Sequence, residues 1–309
     1  MKIINYSAEP LGKLYSWLPR DLVAEKVIFF PDVNTGKAPL PTGTVVFTKQ
    51  ENWRKFALSD CGCGMLLAKS NIKKEEFKTK LWDKIYFDLK ANKNKLGDLG
   101  SGNHFLDALE SYESGDDYVY FLIHTGSRNE SKSVEDLVDL AEEFDDTFGE
   151  VCQWAKNNRL AILDIVGKYF GAQEIILDRD HNNFELVSGG VIIRKGAVKV
   201  NPGELAVLPS NLDDDVVLVR ATDKVADTYN SLNHGTGRTM SRSQAKEYAK
   251  NYDYQALRKS IYIPEMISDA SIKTEAPFCY RNLDECLNLI DDLITVEKRF
   301  KPFAYIGQV

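Results

Sequence analysis

The sequence predicts an α+β fold with a β-rich core and flanking helices. Three observations carry the fold class. Strand-like and helix-like stretches do not alternate as a doubly wound parallel sheet requires. From residue 174 to 220 the pattern is almost wholly β, rich in Val, Ile and Leu between glycines and asparagines. The chain has 309 residues, 43% of them hydrophobic and 28% charged, enough to bury a large core. No internal repeat, low-complexity tract or linker divides it, so one domain over residues 1–309 is expected.

Taken in order, an apolar run at 27–30 leads into a turn-rich segment at 31–36. Residues 44–48 have the β-branched and aromatic content of a strand, and 55–58 is a shorter strand candidate. Phe77, Leu81, Trp82, Ile85 and Leu89 recur at helical spacing, which predicts a helix over 72–90. Residues 118–123 read as a buried strand that delivers His124 at its C-terminal end. A helix start at 133–136 is followed by an apolar stripe from Val134 to Phe148, and a second helix is expected over 151–170. The strand 174–177 hands over His181, and strands follow at 184–187, 190–200, 205–208 and 216–220. Helices over 242–250 and 282–294 and an extended tail at 303–306 complete the chain.

Composition narrows the function classes. A net charge of −7 argues against a protein that coats nucleic acid indiscriminately, because that affinity comes from neutralising many phosphates. Locally the balance differs: residues 69–95 hold nine lysines and four acids, whereas 134–150 hold eight acids and no base. Five cysteines form no disulfide framework and fit a reducing compartment. No stretch reaches the length of a membrane span and no leader pattern opens the chain, so a cytoplasmic protein is expected.

The chemistry begins at Asp60-Cys-Gly-Cys63-Gly-Met, where a carboxylate and a thiol stand three residues apart on a glycine-rich turn. Hard and soft donors together suit a divalent transition metal. The chain has four histidines, His104, His124, His181 and His234, all in polar or glycine-bearing surroundings and none on an apolar helical stripe. Asp60, Cys63, His104, His124 and His181 are too many donors for one tetrahedral site with an open position. A pair of ions bridged by the Cys63 thiolate uses them all. His234, flanked by Gly235 and Gly237, is then available as a nucleophile on phosphorus, with Arg238 as a bidentate phosphate contact. The residues alone therefore point to a metal-dependent phosphoryl or nucleotidyl transferase.

These motifs, with Leu96-Gly-Asp-Leu-Gly-Ser-Gly-Asn103-His104-Phe-Leu-Asp107, Asp180-His181-Asn182, His234-Gly-Thr-Gly-Arg238, Arg194-Lys195-Gly-Ala197 and Glu275-Ala-Pro-Phe-Cys-Tyr280, resemble the RtcB family of GTP-dependent RNA-splicing ligases. The resemblance runs in order across nearly the whole chain and takes in Pro31-Asp-Val and Trp154-Ala-Lys-Asn-Asn-Arg159. It implies an RNA ligase that joins 3′-phosphate or 2′,3′-cyclic phosphate ends to 5′-hydroxyl ends through a covalent histidine guanylate. Two manganese ions and GTP as cosubstrate come with it, and an activating protein is a compatible partner. It assigns Asp60, Cys63 and His104 to one ion, Cys63, His124 and His181 to the other, and the guanylylated position to His234. Asn103, Asn182, Gly235 and Gly237 fall at nucleotide contacts, Asp107 at the guanine edge and Tyr280 against the base. The chain is short for the family and departs from it at Asn34, at 208–215 and at Gly307, which stands where the family ends in a lysine. Two other readings stay open: a divergent nucleotidyltransferase or phosphoesterase with another nucleotide or end, and a non-catalytic binder of RNA ends. The basic surface for RNA is expected at 69–95 and at Arg194 and Lys195.

Overall fold

Alternation of side chains along extended backbone explains how most of this chain packs. A computed structural model describes residues 1–58, 60–307 and 309, without the side chain of Arg128. The strands are β1 (Lys2–Asn5), β2 (Lys26–Asn34), β3 (Thr42–Thr48), β4 (Gly64–Lys73), β5 (Phe105–Ser111), β6 (Tyr118–Thr125), β7 (Gln173–Asp180), β8 (Asn182–Val187), β9 (Gly190–Lys195), β10 (Ala197–Lys199), β11 (Leu205–Pro209), β12 (Val216–Ala221), β13 (Ser231–Asn233) and β14 (Ile294–Gly307). They form a seven-stranded sheet in the order β11-β12-β14-β5-β6-β4-β7, a five-stranded sheet β1-β2-β3-β9-β8 and a pair β10-β13. Neighbours are antiparallel except β1 and β2. This is the expected α+β class.

In β4, Leu66 and Ala68 face one side of the larger sheet while Met65 and Leu67 face the other. The first side is covered by α3 (Thr79–Ala91), through Trp82, Ile85 and Leu89, and by the C-terminal half of α5 (Ala141–Phe170), through Ile162, Val166 and Phe170. Each such side chain stabilises the fold by about 1.5–3 kcal/mol through burial. The N-terminal half of α5 buries Phe144, Phe148 and Val151 against the smaller sheet. At 30 residues it is about 45 Å long, so one helix braces both sheets.

Several expectations change. Residues 55–58 lie mostly in a helical turn, α2 (Arg54–Ala57), where Arg54 pairs with Asp145 of α5. Residues 64–73 form a strand that the sequence hid, because β4 is buried on both faces over its first half and shows no alternation there. The helix expected over 72–90 begins only at Thr79. The two helices expected across 133–170 become a short α4 (Lys132–Glu135) and the single α5, whose Gly149 sits in open space and does not break it. Near the end of the chain the helix is only Leu283–Asn288, and the tail extends to the fourteen residues of β14.

Candidate active site

The site lies where four adjacent strands of the larger sheet end together. Cys63 immediately precedes β4, His104 immediately precedes β5, His124 is the penultimate residue of β6, and His181 immediately follows β7. Pairing aligns them: Gly64 lies opposite both Thr125 and Asp180, and Phe105 lies opposite His124. The turn before β4 is pressed onto α5, since Gly62 has φ +67 and an added Cβ would stand 2.7 Å from Cys152 Cα.

Two donor sets result. Cys63, His124 and His181 form one, and Asp60, Cys63 and His104 the other, with ligand atoms within 4.8 Å of one another in each. Cys63 Sγ is 3.4 Å from Nε2 of both His104 and His124, and His104 Nε2 is 3.1 Å from Asp60 Oδ2. A sulfur and a nitrogen bound to one ion at about 2.3 and 2.0 Å stand roughly 3.5 Å apart, so the spacing fits a metal. The protonation states fit as well. Burial, followed by the nearby His104 and His234, holds His124 well below the ordinary histidine range. Burial, His234 and His124 do the same for His181. Both rings are neutral and keep a lone pair. Thr125 Oγ1 donates to the Leu99 carbonyl and lies 3.4 Å from His104 Nδ1, which leaves His104 Nε2 turned to the cluster.

His234 is the fourth histidine of the group, 4.4 Å from His181 between ring centres. Its Nδ1 is 2.6 Å from Oδ2 of Asp32 and 3.0 Å from the Gly196 carbonyl, so Nδ1 carries the proton and Nε2 is the free nitrogen. Asp32 is completely buried, and an added Cβ on Gly237, at φ +69, would stand 2.5 Å from its carbonyl oxygen.

Asp60, Cys63, Asn103, His104, Asp107, His124, His181, Asn182, His234, Gly235, Gly237, Arg238 and Tyr280 all line one cleft. The polar groups among the expected nucleotide contacts differ in what they have left to offer. Asn182 is engaged at both ends of its amide, donating to the Asp60 carbonyl and accepting from Gly196 N. Arg238 donates to the carbonyls of Met240 and Thr274 and to Glu275 Oε2, and only Nη2 lacks a protein partner. Asp107 is buried with Oδ1 unpartnered, and burial raises its carboxyl well above the usual range. Tyr280 donates to Glu275, and burial followed by that carboxylate pushes its phenol well up.

Several participants were missed. Asp32 could have been found as the one acid in the strand segment 27–33, every residue of which is buried. Arg159, also buried, pairs with Asp178 at 2.5 Å and donates to the carbonyls of Gly62 and Thr125, bracing the backbone beside Cys63 and His124. Arg194 and Lys195 do not form a surface: Arg194 is buried against Glu185 and Ser231, and Lys195 lines the cleft, where burial lowers its ammonium. In the 208–215 loop, Asp215 is held by Tyr112 and Arg299 and Asp214 by Ser210. Ser210, Asn211 and Leu212 are the residues of that loop's tip that line the cleft.

A family model described as tRNA-splicing ligase RtcB matches residues 138–308. The chain belongs to the RtcB family. RNA-splicing ligase RtcB1 of Escherichia coli is 26% identical over 248 residues, 66% of this chain and 59% of that protein. RNA-splicing ligase RtcB2 of Escherichia coli is 25% identical over 334 residues, 89% of this chain and 86% of that protein. The tRNA-splicing ligase RtcB of Nanoarchaeum equitans is 26% identical over 287 residues, 69% of this chain and 60% of that protein. The chain thus spans about three fifths of two of these RtcB proteins. The family model takes in His181 and His234, whereas Asp60, Cys63, His104 and His124 come from the segment before it. The fold brings both groups to one cleft.

Proposed function

We infer that this chain is an RNA ligase that joins 3′-phosphate or 2′,3′-cyclic phosphate ends to 5′-hydroxyl ends through a covalent guanylate on His234. The observation that carries the reading is the Asp32–His234 pair set beside two donor clusters that share Cys63. Because the donors come from both sides of residue 138, we read residues 1–309 as one ligase unit.

Asp32 accepts the Nδ1 proton of His234 and fixes the tautomer in which Nε2 is nucleophilic, the role of a buried carboxylate behind a catalytic imidazole. Nε2 attacks the α-phosphorus of GTP, an N–P bond forms and the bond to the pyrophosphate leaving group breaks. An RNA 3′-phosphate oxygen then displaces His234, and a 5′-hydroxyl attacks the activated 3′-phosphorus and expels GMP. A cyclic phosphate end is opened first, water adding to phosphorus as the bond to O2′ breaks, which leaves a 3′-phosphate and a free 2′-hydroxyl. Asp60, Cys63 and His104 would hold one divalent ion and Cys63, His124 and His181 a second, manganese being the family's usual metal. When bound, such ions offset charge on phosphoryl oxygens. Lys195 adds a cation at the same wall of the cleft, 3.3 Å from Asn182 Oδ1.

One observation favours a second reading, a transferase with another nucleotide. An added Cβ on Gly307 would fall 1.9 Å from Tyr305 Oη, so the buried Tyr305 occupies the space a longer residue there would need. Intact mass after incubation with manganese and GTP or ATP decides between them. A GMP-sized gain with GTP, absent in His234→Ala, together with joining of 3′-phosphate RNA, is expected. A gain with ATP alone moves the assignment to the second reading, and no gain with either, with two ions bound, overturns both.

A further inference from the structure

The geometry points to α3 as a docking track for the single-stranded RNA that leads to the end being joined, an inference that rests on the ligase reading. The nine lysines of 69–95 do not act alike. Lys69, Lys73 and Lys74 pair with Asp116, Asp117 and Glu110, which removes them from a phosphate-binding role. Lys80, Lys84, Lys90, Lys93 and Lys95 are exposed, and among the described residues no ion pair involves them.

The acids of the helix border this face, Asp83 standing one turn from both Lys80 and Phe87, and their carboxylates are engaged. Asp83 accepts from Tyr262 Oη and Asp88 from Tyr169 Oη, both partners lying on neighbouring elements. What α3 presents outward is therefore a line at i, i+4 and i+7, Lys80, Lys84 and Phe87, with Lys90 one turn on. Phe87 is 54% exposed although the helix has a full apolar stripe buried beneath it, so packing does not account for it.

A row of unpaired ammonium groups interrupted by an exposed aromatic ring matches a strand of phosphates with unpaired bases, since the amines neutralise phosphates and the ring stacks on a base. A duplex would meet the amines but offer Phe87 no base face. The helix is about 20 Å long. Its C-terminal end joins the cleft through 92–103, a segment fixed by Gly97 N to Asn158 and by Thr125 to the Leu99 carbonyl, which ends at Asn103 in the cleft wall. Charge complementarity is local, because the whole chain carries −7.

The test is fluorescence anisotropy of a labelled 12-nucleotide 3′-phosphate RNA, single-stranded or closed into a blunt duplex, between 50 and 200 mM salt. For Lys80→Ala/Lys84→Ala/Lys90→Ala the logarithmic salt slope on the single strand should shrink by about two, roughly 0.7 for each phosphate that is no longer neutralised. Phe87→Ala should weaken single-strand binding about tenfold with the slope unchanged and leave the duplex unaffected. Nucleotide uptake on His234 should equal that of the unmodified protein in all variants. An unchanged slope in the triple variant, or single-strand binding indifferent to Phe87→Ala, overturns the track. Normal RNA binding by a protein that never takes nucleotide on His234 overturns the ligase reading instead and leaves the track standing.

Discussion

The two ends of the cleft are built on different principles. At the end that gathers the two donor sets, Cys63, His104, His124 and His181 stand on or beside the aligned ends of paired strands, and their ring and sulfur atoms converge. At the other end, Arg238 and Tyr280 both donate to Glu275, and Asp107 and Tyr305 are buried in the cleft wall. The donors are positioned by the rigidity of a sheet, whereas Arg238, Glu275 and Tyr280 are held by their own hydrogen bonds. The first end is therefore fixed by strand pairing, and the second by a side-chain network of its own.

The largest change expected is at the nucleophile. Asp32→Asn should slow nucleotide transfer to His234 by up to about 10⁴-fold, because the amide favours the wrong tautomer, as with other buried acids behind a catalytic histidine. Ion content measured on the same sample should not move. Loss of both transfer and bound ions would show instead that Asp32 is needed for the fold of the whole end.

Next comes the brace behind the donors. Arg159→Ala leaves Asp178 and two carbonyls without their partner in a buried setting, and urea unfolding should show about 3–5 kcal/mol lost. A loss under about 1 kcal/mol would mean that the strand ends are positioned without it.

The two ends should also answer acid in opposite senses. His124 and His181 have lowered values in the folded state, so the unfolded chain takes up more protons below about pH 6.5. Their contribution to stability is present above that pH and is lost progressively as pH falls from there toward the folded values. Asp107 has a raised value, so its contribution is full below about pH 3.8 and is lost as pH rises toward the folded value. Thermal melts of the chelator-treated protein should show a smaller effect than the two above: Asp107→Asn stabilises at pH 8 and not at pH 4. Equal shifts at both would place Asp107 in contact with something that keeps it ionised.

Much of the reactive end was legible in the sequence because its residues are rare and chemically pointed. Four histidines and a Cys-Gly-Cys turn leave few ways to build a site, and each histidine has a glycine or a polar residue beside it. The strands expected at 118–123 and 174–177 lie within Tyr118–Thr125 and Gln173–Asp180, the first apolar run ending directly before His124 and the second at Leu177, short of His181. What failed did so for physical reasons. β4 lost its alternation by being covered on both faces, and α5 ran through a glycine that has nothing to collide with. Asp32 looked like part of a turn, and only the fold brings it 202 residues along the chain to His234. Lys195 looked like surface charge because nothing in its local sequence tells a half-buried lysine of a cleft wall from an exposed one.

One thiolate serving two ions is the proposed feature of the site most directly open to test. Manganese bound at equilibrium, counted by native mass spectrometry on the intact protein and on Cys63→Ser, His104→Ala and His181→Ala, tests it. Two ions in the unmodified protein, one in each histidine variant and none retained tightly by Cys63→Ser is the predicted pattern. A single ion in the unmodified protein, or two in Cys63→Ser, would contradict it.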